Sequence, residues 1–216
     1  IADSTTKQDS ASPTSSNDTS EASDDTETTG GSWSFSEDTV TVEITETGEL
    51  RSYTLTSTHA QRDNGPSQQS FSEEMEDPIL RSGNLLTDAL FALAVHEAKQ
   101  NAVEEIQDNA FGTAKSCSCF KTGELWNWVW TRDIAYAAEL GLSWLDTERA
   151  KNSLLFKLSE EKTGGNLQIV QDTGTGGSWP VSTDRVTWAR SAMSVLEHSD
   201  DGDFKNTVIE AMRNTA

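Results

Sequence analysis

Hydrophobic and polar residues alternate strictly over residues 39–58, which read TVTVEITETGELRSYTLTST. The apolar positions lie on either side of Thr47-Gly48 and are Val40, Val42, Ile44, Tyr53 and Leu55. A period of two is typical of a strand with one buried face, and a Gly between two such runs indicates a tight turn. The pattern predicts a β-hairpin, followed over residues 59–80 by an irregular acidic connection.

From residue 84 onward the apolar residues recur at intervals of three and four, which is typical of amphipathic helices. The first such segment, NLLTDALFALAVHEAKQNAVEEIQD, predicts a helix of about six turns over residues 84–108. Four more helices are predicted, at residues 132–145, 147–158, 184–198 and 204–214. Thr131, Asp146 and Thr183 stand where N-caps are expected. The pattern alone therefore predicts a helical domain with a small β appendage.

Composition changes the picture at the N-terminus. Residues 1–32 are rich in Ser, Thr and Asp and contain almost no large apolar side chain. Such a segment cannot bury enough apolar surface to offset the entropy of ordering it, so it is predicted to be a disordered tether. The predicted organisation is a tether over 1–32, a β-hairpin with an irregular connection over 33–80, and a domain of helical hairpins over 81–216.

The net charge of −20 disfavours nucleic acid and anionic lipid as partners. No apolar run reaches the length of a membrane span. A Ser/Thr/Asp tether ahead of a folded domain is common in exported bacterial proteins, so a periplasmic or cell-surface location is predicted. Cys117 and Cys119 could pair with each other, pair elsewhere or stay reduced, and with only three histidines they are too few for a zinc site. No metal or cofactor is predicted.

The stretch GELWNWVWTRDIAYAAELGLSWL, residues 123–145, places three tryptophans on alternate positions directly before Thr-Arg-Asp. A second Asp-Arg pair, Asp184-Arg185, opens another predicted helix after the long loop 159–184. Both helices follow long loops, which are often functional, and they alternate along the chain. This arrangement indicates that the two helix starts lie together at the opening of one cleft.

This combination of residues suits a sugar. A pyranose stacks its C–H face on indole, while carboxylates and guanidinium groups bond its hydroxyls. The saccharide-binding set predicted on this chemistry is Trp126, Trp128, Trp130, Trp179, Trp188, Arg132, Arg185, Asp133, Asp172 and Asp184. The alternative is that the tryptophans are core residues and the acids are helix caps. That alternative is favoured for any single residue, and the density of six of the seven tryptophans within 126–188 shifts the balance toward a site.

The segment WNWVWTRDIAYAAELGLSWL resembles one found in glucoamylase-like six-hairpin glycosidases, whose fold is an (α/α)6 toroid. Together, NWVWTRD and QDTGTGGSWPVSTDRVTWA resemble segments of bacterial six-hairpin glycosidase-like proteins. The resemblance implies that Arg132 and Asp133 bind sugar hydroxyls and that Trp130 lines the same subsite. It also implies that the helical domain is part of a toroid. Combined with the hairpin and the tail predicted from the residue pattern, the expected fold class is mainly α, a partial (α/α)6 toroid with a small N-terminal β-hairpin and a disordered N-terminal tail. Because half a toroid leaves its closing face uncovered, self-association through an apolar face is expected.

The function expected from this resemblance is that of a glycoside hydrolase-like protein acting on an oligo- or polysaccharide, of which this chain is the N-terminal part and inactive alone. Hydrolysis requires two carboxyl groups in distinct protonation states. The candidates are Glu124, Asp172 and Asp184, and the substrate-binding candidates are Trp128, Trp130, Arg132, Asp133, Trp179 and Arg185. The alternative is a non-catalytic carbohydrate-binding or cell-surface protein. Phosphate binding by TGTGGS, residues 173–178, is disfavoured because the loop lacks the Gly-Lys-Ser/Thr ending of a P-loop.

Overall fold

The structure is a computed structural model that describes residues 31–37, 39–59, 65–108, 113–160, 164–170 and 183–216. The prediction of a disordered tether falls mostly on residues 1–30, outside the described residues. Ser32, the last residue of the predicted tether, begins a strand.

The N-terminal half of the described chain is built on an antiparallel sheet. Its strands, in spatial as well as chain order, are β1 Ser32–Glu37, β2 Val40–Thr47, β3 Leu50–Ser57 and β4 Gln68–Ser72. The predicted hairpin is confirmed as β2 and β3, with the reversal at Gly48, where φ is 65°. Strands β1 and β4 extend the hairpin on both sides, and β4 lies in the segment predicted to be irregular.

The helices follow. They are α1 Leu85–Asn101, α2 Thr131–Ala137, a π-helical segment Ala138–Leu142, α3 Ser143–Leu145, α4 Thr147–Leu155, α5 Asp184–Glu197 and α6 Gly202–Thr215. The helix predicted over 132–145 is thus interrupted, with its kink at Gly141. Helices α4, α5 and α6 begin and end close to the predicted bounds. The predicted Asp146 cap is confirmed, because its carboxylate accepts from the Arg149 amide at 3.0 Å.

The helix predicted over 84–108 ends early. At Ala102 the backbone becomes extended, and residues Ala102–Asp108 form β5, which pairs antiparallel with β6, Thr113–Phe120. Ile106 is buried as predicted, but it is buried from a strand. The prediction was wrong here because pairing with β6 overrides the helical spacing, and β6 itself carries little apolar periodicity. Two further strands of two residues each, β7 Leu158–Ser159 and β8 Gln168–Ile169, pair antiparallel.

The predicted fold class was wrong. The described chain is 44% helical and 28% strand and includes a four-stranded antiparallel sheet, so it is mixed and not mainly α. A toroid requires helical hairpins in succession, but α1 is followed here by the β5–β6 hairpin. None of the helices in the described ranges is both long enough and apolar enough to cross a membrane.

Helix α1 is joined to the sheet by apolar packing and by a polar network. Ala89 and Ala92 pack on Val42, Ile44 and Tyr53 of the sheet. The Arg51 guanidinium bonds both Asp88 of α1, at 3.0 Å, and Glu46, at 2.6 Å.

Glu73 is the second centre of that network. Its carboxylate accepts from Arg81, from the Tyr53 hydroxyl at 2.8 Å and from the Arg51 amide at 2.8 Å. Burial alone would raise the pKa of Glu73, but the bonds from Arg81, Tyr53 and Arg51 outweigh it and lower the pKa. Burial, followed by the bond to Glu73, raises the pKa of Tyr53 to about 12.

A second core lies in the C-terminal part. Trp188 of α5 is fully buried at its centre and donates its indole N–H to the Leu154 carbonyl at 3.0 Å. Ser143 bonds Ser194 at 3.2 Å, and Ser191 donates to the Ala135 carbonyl. Arg132, at the start of α2, bonds Asp184 at the start of α5, and Ala135 is bonded by Ser191 further along α5, so the two helices run parallel with their N-termini at the same end.

The polar network predicts an acid-sensitive fold. As with Glu73, burial opposes the charged form of Asp88, yet bonds from Ser82 and Arg51 lower its pKa. A lowered pKa means that both carboxylates stabilise the fold above their unfolded values, about 3.9 for Asp and 4.3 for Glu. That contribution is lost as the pH falls through the folded pKa.

We therefore expect Asp88→Asn to reduce the free energy of unfolding by about 3 kcal/mol at pH 7, because Arg51 loses a buried partner. Urea unfolding measured at pH 7 and at pH 3 checks this, and the difference between wild type and variant should shrink at pH 3. Glu76→Gln, at an exposed carboxylate, is the control. An Asp88→Asn protein as stable as the control at pH 7 would contradict the role given to this network.

Candidate functional site

Three indoles form a cluster on the loop before α2. The ring centroids of Trp126 and Trp130 are 5.2 Å apart, those of Trp126 and Trp128 are 5.9 Å apart, and those of Trp128 and Trp130 are 6.3 Å apart. These spacings are in the range of favourable aromatic pairs. Trp126 is 44% exposed, whereas Val129 between the other two is fully buried. Side chains along this loop therefore alternate between the core and the surface, as they do in a strand. The strand-like pairing described for the loop is one isolated bridge, between Gly123 and Trp126.

The backbone beneath the cluster is fixed by Thr122. Its amide and its hydroxyl both donate to the Trp128 carbonyl, at 2.8 and 2.7 Å. The same hydroxyl oxygen accepts from the Trp130 amide at 3.1 Å. One side chain thus holds both ends of the segment that carries two of the three indoles.

The buried ammonium of Lys157 holds the middle of that segment. Lys157 is fully buried and its Nζ donates to the Val129 carbonyl at 2.9 Å. The Lys157 carbonyl accepts from the Val170 amide at 2.9 Å, and the Val170 carbonyl accepts from the Thr131 hydroxyl at 2.6 Å. Thr131 was predicted as a helix cap, but its side chain joins α2 to residue 170, and the N-cap position is that of Trp130.

Arg132 extends from the start of α2 to the start of α5. Its Nε donates to Asp184 at 2.8 Å, and this bond raises the pKa of Arg132. The Arg132 side chain is 61% exposed, while that of Asp184 is 7% exposed. The buried carboxylate therefore orients a guanidinium that faces solvent two residues after Trp130.

Asp133 lies elsewhere. It lines a groove between α1 and the helical segment 131–145, and neither Asp184 nor any tryptophan of the cluster is among the residues lining that groove. Successive helical residues are rotated by about 100°, so neighbours in sequence can serve different surfaces. Arg132 therefore extends toward the start of α5, whereas Asp133 lies at the groove beside α1.

The remaining predicted site residues are dispersed or outside the described ranges. Glu124 is exposed on the loop that precedes the cluster, and Arg185 is half-buried on α5. Asp172 and Trp179 lie outside the described residues. Trp188 is a core residue, as the simpler interpretation of the tryptophans held.

Two indole N–H groups in the cluster lack an acceptor. The Nε1 atoms of Trp128 and Trp130 are buried and have no hydrogen-bond partner among the described residues. A buried donor without a partner costs about 1–3 kcal/mol. The cluster is therefore a place where an oxygen acceptor would be favourable.

Cys117 and Cys119 are joined as a disulfide within β6, with their Cα atoms 5.2 Å apart. The β5–β6 register shifts between Val103 and Glu105, so the pair lies at an irregularity of the ladder. Of the alternatives left open by the sequence, the structure has the two cysteines paired with each other. No group of three or more His, Cys, Asp or Glu side chains within the described ranges is arranged to hold a metal ion.

Sequence reasoning missed Thr122 and Lys157. The only available signal for Lys157 was a single charge within the apolar run LLFKL, residues 154–158. Thr122 had no signal, because its role depends on the return of the chain eight residues later.

Comparison of this chain with protein-family models, with curated proteins and with solved structures finds no match. The resemblance to six-hairpin glycosidases is therefore corrected. No family or homologue supports it, and the mixed fold contradicts it. The tryptophan-Thr-Arg-Asp segment is short enough to occur without that fold, since its local role here is a loop entering a helix.

Thr122→Val tests whether the cluster depends on its backbone anchor. The substitution removes the hydroxyl that bonds Trp128 and Trp130 while keeping the shape of the side chain. We expect a loss of about 1–3 kcal/mol in the free energy of unfolding and a weaker near-UV circular dichroism signal from the indoles.

Thr207→Val is the matched control, because the Thr207 hydroxyl donates to the Asp203 carbonyl within its own helix, α6. If both variants keep the same near-UV spectrum and stability, Thr122 does not hold the cluster.

Proposed function

We propose that this chain binds a neutral saccharide through Trp126, Trp128, Trp130 and Arg132. The observation that carries the proposal is an indole cluster whose outer member is 44% exposed, on a loop with its backbone fixed at Trp128, Val129 and Trp130. A fixed aromatic surface is ordered before the ligand arrives, so binding does not have to order it.

The chemistry around the cluster supports a ligand rich in hydroxyl groups. An exposed indole face stacks on sugar C–H groups, and the Arg132 guanidinium is a donor to hydroxyl oxygens. With a net charge of −20 the chain favours a neutral sugar over an acidic one.

Binding is favoured over hydrolysis. Asp184, one of the three carboxylates predicted to act as acid or base, is 7% exposed and bonded to Arg132. A carboxylate that is buried and bonded in this way orients the guanidinium and is poorly accessible to a glycosidic oxygen. Hydrolysis stays a prediction, as does the export of the protein.

The test compares two equally exposed tryptophans. Trp126→Ala removes the outer indole of the cluster, whereas Trp33→Ala removes an indole that is 42% exposed on β1. A glycan array identifies a ligand for the wild type, and calorimetry then measures each variant. We expect Trp126→Ala to weaken binding about tenfold, since a stacking contact contributes on the order of 1–1.5 kcal/mol, and Trp33→Ala to leave it unchanged.

Arg132→Gln should weaken the same interaction, because the replacement keeps a donor but loses the guanidinium that Asp184 orients. A wild type that binds no glycan, or a Trp126→Ala variant that binds like the wild type, would overturn the proposal. A reducing-sugar assay on the bound glycan separates binding from turnover, and release of reducing ends would restore the hydrolase alternative.

We further propose that the chain self-associates through exposed apolar side chains on α2 and α5, namely Tyr136, Val186 and Met193. The charge of −20 on each copy opposes this contact until salt screens it. Sedimentation should therefore show association that increases with salt and is abolished by Val186→Asp. A monomer at all salt concentrations would exclude this face as an interface.

A further inference from the structure

A groove of about 470 Å³ separates α1 from the helical segment 131–145. Its floor reaches the interior, because four of the residues that line it are at most 9% exposed, namely Val95, Ala98, Phe120 and Ile134. At its rim, Leu140 and Trp144 are 82% and 56% exposed. A concave and mostly apolar site of this volume is of the size that binds small molecules.

The groove lies where the two hydrophobic cores of the chain come close to each other. Helix α1 packs on the sheet along one face, while Ala98 near its end belongs to the second core with Phe120 and Ile134. Between these contacts α1 contributes the exposed Ala94 to the lining, and α2 contributes the exposed Ala137. Methyl groups on both sides leave the space between the helices unfilled. Apolar surface remains in contact with water there, which is unfavourable.

The charged side chains around the groove leave no unbalanced charge for an ion. Glu97 and Lys121, which both line it, carry opposite charges. Asp133, the third charged residue among the described residues of the lining, has Arg132 beside it. The bond to Asp184 and, as a smaller effect, the charge of Asp133 raise the pKa of Arg132. An ion would therefore lose hydration in the groove without finding an unengaged counter-charge, so an uncharged ligand is favoured.

One polar side chain of the lining is left to bond a ligand. The amide of Asn101, the last residue of α1, is half-buried and makes no hydrogen bond within the part of the chain that the structure describes. An amide both donates and accepts, so it can bond a hydroxyl or a carbonyl group. A single polar contact of this kind orients a ligand whose remaining surface is apolar.

We infer that the groove binds an uncharged, mainly apolar small molecule with one hydroxyl or carbonyl group, whose body lies between Ala94 and Ala137 and whose polar group bonds Asn101. The buried floor favours a small molecule over a flat protein face, because a face resting on the rim would leave the floor without contacts. The site goes beyond the saccharide proposal, since none of the three clustered indoles is among the residues that line it.

Decanol, decanoate and decyltrimethylammonium test the choice of ligand, because they share one alkyl chain and differ in charge. Calorimetry is done with each probe below its micelle concentration and at physiological ionic strength, where the field of the net charge of −20 is screened. We expect decanol to bind on the order of tenfold more tightly than either ion, since each ion must lose hydration on entering.

Asn101→Leu tests the polar contact, because it keeps the size of the side chain and removes the amide. It should weaken the binding of decanol about fivefold, which corresponds to one hydrogen bond. Gln100→Leu, at the exposed neighbouring position outside the groove, is the matched control and should bind like the wild type.

Ala94→Trp and Ala137→Trp fill the groove from its two sides, each from an exposed position, and each should abolish the binding of decanol. Asn206→Trp, at an exposed position on α6, is the matched control and should leave binding unchanged. Thermal unfolding of the three variants checks that each is folded.

A wild type that does not bind decanol, or that binds either ion as tightly, would overturn the inference. Unchanged binding in either of the two groove-filling variants would do the same, and unchanged binding in Asn101→Leu would overturn the contact with Asn101. A dimer in sedimentation that Ala94→Trp abolishes would show that a second copy occupies the groove instead. Glycan binding by Ala94→Trp should match the wild type, so failure of this inference and failure of the saccharide proposal are separable.

Discussion

The buried ammonium of Lys157 is the constraint on which the candidate sugar site depends. A charge taken out of water costs several kcal/mol unless it is bonded. Here it bonds the Val129 carbonyl, while the backbone of Lys157 bonds Val170 and Val170 bonds Thr131. These bonds join the end of α4 to the tryptophan loop and to the start of α2. The polar atoms that make them have few other hydrogen-bond partners within reach in an apolar core. A loop fixed in this way can hold the three indoles together with Trp126 exposed.

The need of buried polar groups for a bonding partner also explains why the side chains of Arg132 and Asp133 lie on different surfaces. Arg132 extends toward α5, where Asp184 is buried and requires a cation. Asp133 is turned toward α1, where the residues that line the groove include Lys121. Parallel packing of α2 on α5 decides this division, because it brings the two helix starts together and leaves the opposite side of α2 facing the groove. Two neighbouring charges in one motif therefore face two different surfaces.

The strands and helices that the sequence predicted well are those that bury one face, because burial of one face sets the spacing of their apolar residues. The β2–β3 hairpin shows this, since Val42, Ile44 and Tyr53 are all buried on α1. Helices α5 and α6 show it too, with Trp188 and Val208 in the core. The prediction was wrong where a second partner competes with local spacing. Residues 102–108 retain a helical spacing of apolar positions, yet they pair with β6 because a ladder satisfies their backbone at the end of α1.

The sequence by itself determined where most helices and the central hairpin lie, that three tryptophans directly precede a helix start, and that the chain is strongly acidic. These features follow from local periodicity, from turn residues and from net charge, which need no knowledge of distant contacts. Only the tertiary structure decided that the fold is mixed, that Trp188 is core while Trp126 is exposed, and that Thr122 and Lys157 hold the loop. Such assignments depend on hydrogen bonds between residues far apart in the chain, such as Thr131 and Val170, which are 39 positions apart. Sequence spacing carries no signal for these pairs, because a buried polar group is matched to whatever partner the packed chain brings within bonding distance.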